Sequence, residues 1–439
     1  MSLHPSVSGA LPEPDEAARR HSGRVVAHLR EVIAHEGGWI PLERYLREVL
    51  YAPGLGYYVA GARKLGADGD FVTAPEMTPL YGAALATPIA TILDGSRARE
   101  IVELGAGSGA LAASLLAALA AAGVAVSRYR IVEVSPELRA RQRAALAGAS
   151  VPVTWCETLP DAIDGAVVLN EVLDAVPPHV VARRDGAWFE RGVALAAGEG
   201  ARPDHHAAGA HADGRAASAA GNGPGDVAVA GNDSGDVAQS GHDAASAAHA
   251  LMRVDRPLRD ATLRGLAAAR FPPAIDYESE VNPAAEALVG TLARRLEGGA
   301  IVIADYGFPQ SEYYLAQRST GTLVGHYRHR VHADPLLWPG LSDLTAHVDF
   351  TAMATVAHEA GLKVAGFTSQ AAFLVAAGIL DRLAAQGAPE STTYIRAAAA
   401  VQRLLSPAEM GELFKVLVLA RDDGIVWRYF AGNDRSHRL

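Results

Sequence analysis

The sequence predicts an α/β protein built on a parallel sheet with helices on both faces. Three observations carry this. From residue 100 onward, apolar runs alternate with helical stretches, as in EIVEL (100–104), YRIVEV (129–134), AVVLN (166–170) and AIVIA (300–304). Strands buried on both faces read as such uninterrupted runs. The first run continues as VELGAGSG (102–109), placing Gly105, Gly107 and Gly109 at every second position before the alanine-rich stretch 109–126. Near the end, DFTAMATVAHEAGLKVAGF (349–367) reads as a helix, a glycine stop and a strand. Asp349 is its N-cap and Gly361 its stop, and a last apolar strand follows in LFKVLVLA (413–420).

Taken in order, residues 23–50 carry two helical stretches, VVAHLREVI and LERYLREVL, with apolar positions three and four apart. Residues 51–77 (YAPGLGYYVAGARKLGADGDFVTAPEM) are loop-rich. A hairpin fits HVVARRDGAWFERGVAL (179–195), turned at Asp185-Gly186. Residues 196–250 are different: AGNGPGDVA (220–228) recurs as AGNDSGDVA (230–238), and large apolar side chains are almost absent. Such a stretch cannot bury enough surface to offset its ordering entropy, which predicts a disordered surface insertion. The organisation is therefore an N-terminal helical and loop segment (1–95), a first core half (96–195), the insertion (196–250) and the rest of the core (251–439). Within the last part, 308–348 is too long for a plain connection and reads as a lid.

With 439 residues, 49% of them hydrophobic, the chain has material for one large domain or two ordinary ones. A net charge of -10 and a pI near 5.9 exclude an overall basic field for nucleic acid or anionic lipid. Cys156 is the sole cysteine, so no intrachain disulfide forms and a reducing cytoplasm is expected. The N-terminus lacks the basic start and apolar core of a signal peptide, and the alanine-rich 109–126 suits a helix buried on a sheet better than a membrane span. Arg far outnumbers Lys (only Lys64, Lys363 and Lys415), which with abundant Ala suggests a GC-rich bacterial genome.

The glycine turn alone fits more than one ligand. Gly105-x-Gly107-x-x-Ala110 also satisfies a permissive dinucleotide fingerprint, whereas no Lys-Ser/Thr pair follows to make a Walker loop. Its neighbours sharpen the choice. Glu103, at the strand's carboxyl end, would repel a pyrophosphate but attract the amino and sulfonium groups of S-adenosylmethionine. Glu133 closes the next strand, where a carboxylate accepts ribose hydroxyls of either cofactor. LNEVLDAVP (169–177) sets Asn170, Glu171 and Asp174 at the cleft above the strand ends, the lesser alternative being that the two acids only cap the following turn. The late helix–strand pair and the final strand fit a seven-stranded methyltransferase sheet with a reversed last strand. Together these point to S-adenosylmethionine.

A wider set of motifs carries a resemblance: GYYVAGARKLGADGDFVTAPEMTPLYG (56–82), VELGAGSG (102–109), LNEVLDAVP (169–177), IADYGF (303–308), GTLVGHYRHRVHADPLLWPGLSDLTAHVDF (321–350) and MGELFKVLVL (410–419). Through them most of the chain outside 196–250 resembles the MidA-like family of S-adenosylmethionine-dependent methyltransferases. That family comprises the mitochondrial complex I assembly methyltransferase and its bacterial relatives. The resemblance implies a class I, Rossmann-like α/β fold with an N-terminal helical segment and an inserted lid, S-adenosylmethionine as cofactor, and a protein substrate. Eukaryotic members are associated with symmetric dimethylation of an arginine on a core subunit of respiratory complex I, so the equivalent quinone-reductase subunit is the candidate acceptor. One departure stands out: the family's Thr-Ser-Pro-Glu is here Thr73-Ala74-Pro75-Glu76, without the serine hydroxyl.

Methyl transfer from a sulfonium chiefly requires alignment of nucleophile and methyl group. An arginine acceptor adds a need for carboxylates that grip its other N–H groups bidentately. Glu171 is the first choice, Asp174 its neighbour, and Glu280 in YESEVNP (277–283) a second arm. The expected cofactor-binding residues are Glu103, Gly105, Gly107, Gly109, Glu133 and Asn170, with Asp70 and Thr73 closing over from the N-terminal segment. In the lid, Tyr313, Tyr314, His326, Tyr327, His329, His332 and Trp338 are suited to enclosing a guanidinium by stacking. No metal is expected, because the histidines lack Cys partners or ligand spacing. His347 reads as a proton acceptor or as a satisfied buried histidine.

The expected partner is thus a protein substrate, with no nucleic acid and no membrane insertion, in a bacterial cytoplasm; a homodimer stays open. Three readings remain: a protein arginine methyltransferase, a small-molecule methyltransferase differing only in its lid, and a non-catalytic assembly factor that keeps the fold. A dinucleotide oxidoreductase is disfavoured by Glu103.

Overall fold

The computed structural model describes residues 11–59, 73–196, 251–422 and 424–439. Asp70 and, beyond Ala196, the expected insertion 196–250 lie outside these described residues. The chain opens with α1 (Glu16–His35), capped by the Asp15 carboxylate on the Ala18 amide, the short strand β1 (Trp39–Pro41) and α2 (Leu42–Tyr51). Val25, Leu29 and Ile33 of α1 and Leu46, Val49 and Leu50 of α2 form one apolar cluster with Val180, Val193 and Leu344. The N-terminal segment is therefore fixed to later parts of the chain by burial rather than tethered to them.

After α3 (Ala74–Met77) and α4 (Pro79–Asp94), the core alternates as expected. It runs β2 (Glu100–Leu104), α5 (Ala110–Ala121), β3 (Arg128–Val132), α6 (Pro136–Ala145), β4 (Val153–Cys156) and β5 (Ile163–Asn170). A second, smaller unit follows with β6 (His179–Arg184), β7 (Ala187–Leu195), β8 (Leu251–Pro257), α7 (Ala261–Arg270) and β9 (Tyr277–Val281). α8 (Pro283–Arg295) returns the chain to the core strand β10 (Leu296–Phe308). Residues 308–348, expected from the sequence as a lid and named so, hold α9 (Gln310–Tyr313), β11 (Val324–Tyr327), β12 (Arg330–His332) and β13 (Asp343–Thr345). The chain ends through β14 (Val348–Asp349), α10 (Phe350–Glu359), β15 (Lys363–Ser369), α11 (Gln370–Ala376), α12 (Ile379–Ala384), α13 (Thr392–Leu405) and β16 (Phe414–Ala420).

The main sheet runs β15-β16-β10-β5-β2-β3-β4, with β14 beside the end of β10. All neighbours are parallel except β16, which is antiparallel to both β10 and β15. The reversed last strand is thus present. Among the described residues the sheet has eight strands rather than the seven expected, the eighth being the two-residue β14. Residue alternation splits the core cleanly. Ile101, Tyr129, Val168 and Val302 pack toward α4 and α5, whereas Val102, Val167, Leu169 and Ile303 pack toward α8 and α10. β2 lies between β3 and β5, so the chain crosses over in opposite directions from it. The crevice this leaves at the carboxyl ends is where open α/β sheets bind ligands.

Among the described residues no helix is long and apolar enough to cross a membrane. The alanine-rich stretch forms a helix only to Ala121, buried through Leu111, Leu115 and Leu119. The expected hairpin turns at Asp185 and Gly186, both with positive φ (49° and 78°), and belongs to a five-stranded sheet with β1, β8 and β9. Three features were not foreseen. β4 is a short, half-exposed edge strand, the expected lid folds into its own three-stranded sheet (β12-β11-β13), and YESEV forms a strand.

Candidate active site

A cavity of about 1390 Å³ opens over the carboxyl ends of β2, β3, β5 and β10. The N-terminal segment contributes Tyr51, Tyr58 and Thr73, and the lid closes another side with Thr322, His326 and Thr345. Its floor is the glycine turn. Gly105, Gly107 and Gly109 have φ of 61°, 53° and 89°, a region that side chains disfavour. A Cβ at Gly105 would meet Val172 at 3.3 Å, and one at Gly109 would meet the Gln142 backbone at 3.3 Å. Gly105 and Gly107 line the cavity, while Gly109 packs behind it.

Both expected strand-end acids face this space. Glu103 is buried and accepts the Tyr129 hydroxyl at 2.7 Å. Burial pushes its carboxyl up to about 7, partly offset by that hydrogen bond. Glu133 accepts the Ser135 amide at 2.8 Å and the Gln142 side-chain amide at 3.2 Å, and burial raises its pKa as well. Gln142 is wholly buried and ties three parts together. It donates to the Gly107 carbonyl at 2.9 Å and to Glu133, and accepts from the Trp155 indole at 2.9 Å. Its amide thus fixes the turn against the acid, a role its charged helix neighbours give no reason to expect. Above, Glu76 of α3 accepts the Ser108 hydroxyl, holding α3 to the turn. A glycine cradle beside two strand-end carboxylates suits a ligand bearing a ribose and a cationic tail.

The second group of acids lies where β5 and β10 end. Glu171 has φ 54°, unusual for a non-glycine residue, and its amide donates to the Ala304 carbonyl at 2.9 Å. Its carboxylate accepts the Ala74 amide at 3.2 Å and the Asn170 side chain at 3.1 Å; Asn170 in turn accepts the Tyr81 hydroxyl at 2.6 Å. Asp305, fully buried, accepts the amides of Val172 (3.2 Å), Leu173 (2.9 Å) and Asp174 (3.4 Å), and that of Tyr306 at 2.9 Å. It therefore clamps the turn that carries both proposed catalytic acids. Asp174 is buried, and its Oδ1 has no partner among the described residues. Burial followed by neighbouring carboxylates raises all three: Glu171 to about 8, Asp305 to about 7, and Asp174 well above the usual range. Asp343, which accepts the Tyr58 hydroxyl, faces the same space.

Thr73, Glu103, Gly105, Gly107, Glu133, Asn170, Glu171 and Asp174 are thus brought to one cavity. Glu280 is not, which corrects its expected role as a second arm. From β9 it accepts the Thr322 amide at 2.8 Å, the Leu323 amide at 2.9 Å and the Tyr313 hydroxyl at 3.1 Å. It anchors the lid from behind the wall. The aromatic enclosure is corrected in part. Tyr313 and Tyr314 are buried against Glu280, and Tyr327 packs on Trp338, none of them lining the cavity. Of the expected rings, His326 and His329 do line it, together with Tyr51, Tyr58, Tyr306, Phe308, His347 and Phe414. No metal-holding group of His, Cys, Asp or Glu occurs among the described residues. His347 lies against Tyr306 and Phe308, and burial with the Arg318 charge pushes it down to about 3, so it is neutral.

The model of a family described as "Putative S-adenosyl-L-methionine-dependent methyltransferase" matches residues 84–368. Among solved structures, a Burkholderia thailandensis protein crystallised with S-adenosyl-homocysteine is 42% identical, with a TM-score of 0.82 over 98% of this chain and 100% of that one. Among curated relatives, the mitochondrial protein arginine methyltransferase NDUFAF7 homolog of Drosophila melanogaster is 27% identical over 93% of this chain and 87% of its own. The mouse protein arginine methyltransferase NDUFAF7 is 28% identical over 87% and 81%.

Proposed function

Because the chain belongs to this S-adenosyl-L-methionine-dependent methyltransferase family, we propose that it methylates a guanidinium nitrogen of an arginine in a protein. The chain is a methyltransferase, and S-adenosylmethionine is its cofactor. When bound, the cofactor supplies the activated methyl group. Glu133 holds the ribose hydroxyls, Glu103 faces the cationic methionine end, and the glycine turn lets the backbone approach the adenosine moiety.

The arginine reading rests on one observation. Buried Asp174 and Asp305 stand with part-buried Glu171, no cationic side chain is paired to them among the described residues, and Asp174 keeps an unpartnered oxygen. Buried carboxyls without a counter-charge are costly, so the site suits a cation delivered by the acceptor. A guanidinium there favours the ionised form of Glu171 and draws its pKa back down. Glu171 then grips the N–H groups not being methylated, with Asp174 beside it, so that one nitrogen faces the methyl group. Relatives named as protein arginine methyltransferases support a protein acceptor. The resemblance read in the sequence points to a core subunit of a complex-I-type quinone reductase.

The test is incubation of the protein and its Glu171→Gln variant with methyl-labelled cofactor and that purified subunit, followed by hydrolysis and amino-acid analysis. We expect label in methylarginine, reduced at least about 100-fold in the variant while cofactor affinity stays within about twofold. Label on another residue, or full activity in the variant, overturns the reading.

A further inference from the structure

At the lid side of the cavity stands a cation that the proposed function leaves unused. Arg318, between α9 and β11, lines the cavity and is half-buried. Its guanidinium lies 4.1 Å from the centroid of the Phe308 ring, and its side chain has no hydrogen bond or ion pair among the described residues. The acids whose charges reach it are engaged elsewhere. Glu280 is taken up by Thr322, Leu323 and Tyr313, and Glu312 faces Arg438 at 2.5 Å. A second cation, Lys415, sits 5.8 Å from the same Phe308 ring, with its ammonium donating to the Glu412 carbonyl. Desolvation depresses the pKa of both cations.

Lys415 has the Glu412 carboxylate 3.9 Å away, whereas the half-buried Arg318 guanidinium is partly desolvated with no counter-charge paired to it among the described residues. An anion against Arg318 would supply that counter-charge and accept its N–H groups. The wall continues from there by ring contacts: Phe308 to His347 at 5.1 Å, then His347 to Tyr306 at 4.9 Å, and Tyr306 and Asp174 both line the cavity. The cavity is therefore polarised along one wall, with carboxylates where β5 and β10 end and an unpaired guanidinium at the lid.

We propose that Arg318 is a subsite for a carboxylate side chain of the acceptor protein, an Asp or Glu flanking the methylated arginine, held bidentately by the guanidinium fork. This rests on the arginine reading above. A bidentate carboxylate matches the planar fork, whereas an ammonium in its place would supply only a point charge. The cofactor also carries a carboxylate, so the experiment must separate the two sources.

Binding, rather than turnover, separates this proposal from the one it rests on. Four sets of fluorescein-labelled peptides are titrated against the S-adenosylhomocysteine-saturated protein: with arginine and glutamate, arginine alone, glutamate alone, and neither, the glutamate being scanned through the flanking positions. At the best position, glutamate should tighten binding about tenfold, and Arg318→Gln should abolish that gain without changing the peptides that lack glutamate. If Arg318→Gln does not fold, Arg318→Lys, which keeps the charge and loses the fork, should retain only part of the gain. Absence of any glutamate effect overturns the subsite, as does an effect that survives in Arg318→Gln. An about tenfold loss of S-adenosylhomocysteine affinity in the variant also overturns it, because the carboxylate held would then be the cofactor's. If arginine confers no advantage while the glutamate effect persists and depends on Arg318, the subsite stands and the arginine reading falls.

Discussion

Glu171 is held against its own preferences. Its backbone occupies the left-handed region at φ 54°, and burial with Asp174 nearby pushes its carboxyl from 4.5 up to about 8. Strained backbone and desolvated acids persist where surrounding structure over-determines them, and they concentrate at functional sites. The consequence for stability has a definite sign. Between about pH 4.5 and 8 the folded protein keeps a proton on Glu171 that the unfolded chain has already lost. Stability contributed by this group therefore falls as pH rises through that window. Glu171→Gln removes the penalty. Without cofactor or acceptor, the variant should melt about 2 °C above the parent at pH 8 and within about 0.5 °C of it at pH 5 in scanning calorimetry. A variant that is less stable at pH 8 than at pH 5, relative to the parent, would show that Glu171 is a stabilising ion instead.

The elements divide by how strongly their burial marks the sequence. β2, β5 and β10 are buried on both faces, so their apolar runs are legible without any partner. The helix from Phe350 is legible because Asp349 caps it and Gly361, at φ 88°, lets the chain leave it. β4 and the lid strands are too short and too mixed for periodicity to register, and their pairing depends on neighbours distant in sequence. The same limit hid Asp305. It lies in the quoted IADYGF, but its clamp on three amides arises only because β10 runs parallel to β5, pairing Ala304 with Asn170. Glu280 misled for the converse reason: an acid near a motif looks available until its six hydrogen bonds from five donors of Ser279, Tyr313, Thr322 and Leu323 are seen. Asp305 acts through the 172–174 turn and is a positioning residue. Asp305→Asn should lower kcat about tenfold and raise KM for the acceptor while leaving cofactor affinity unchanged, and Asp305→Glu should restore less than half of the loss. A proportional loss of cofactor binding would mean that Asp305 merely supports the fold.

At the scale of the whole molecule, three parts of the chain meet over one crevice. The core sheet supplies the glycine turn and the acids, the N-terminal segment supplies Tyr51, Tyr58 and α3, and the lid supplies the far wall. The contacts between them are specific. Tyr51 donates to the Ala175 carbonyl at 2.8 Å, Tyr58 to Asp343, and Glu280 binds the lid to the smaller sheet. The cavity exceeds the about 300–1,000 Å³ typical of a single small-ligand pocket, which leaves room for a cofactor and a second group side by side. The central claim is that the second group is a guanidinium lodged against Glu171 and Asp174. The most direct measurement is a crystal structure of the protein with S-adenosylhomocysteine and an arginine peptide. The account predicts the cofactor product on the Gly105–Gly109 turn, its ribose at Glu133, and the guanidinium within hydrogen-bond distance of both Glu171 and Asp174. A guanidinium bound elsewhere, with those two acids facing only each other, would contradict it.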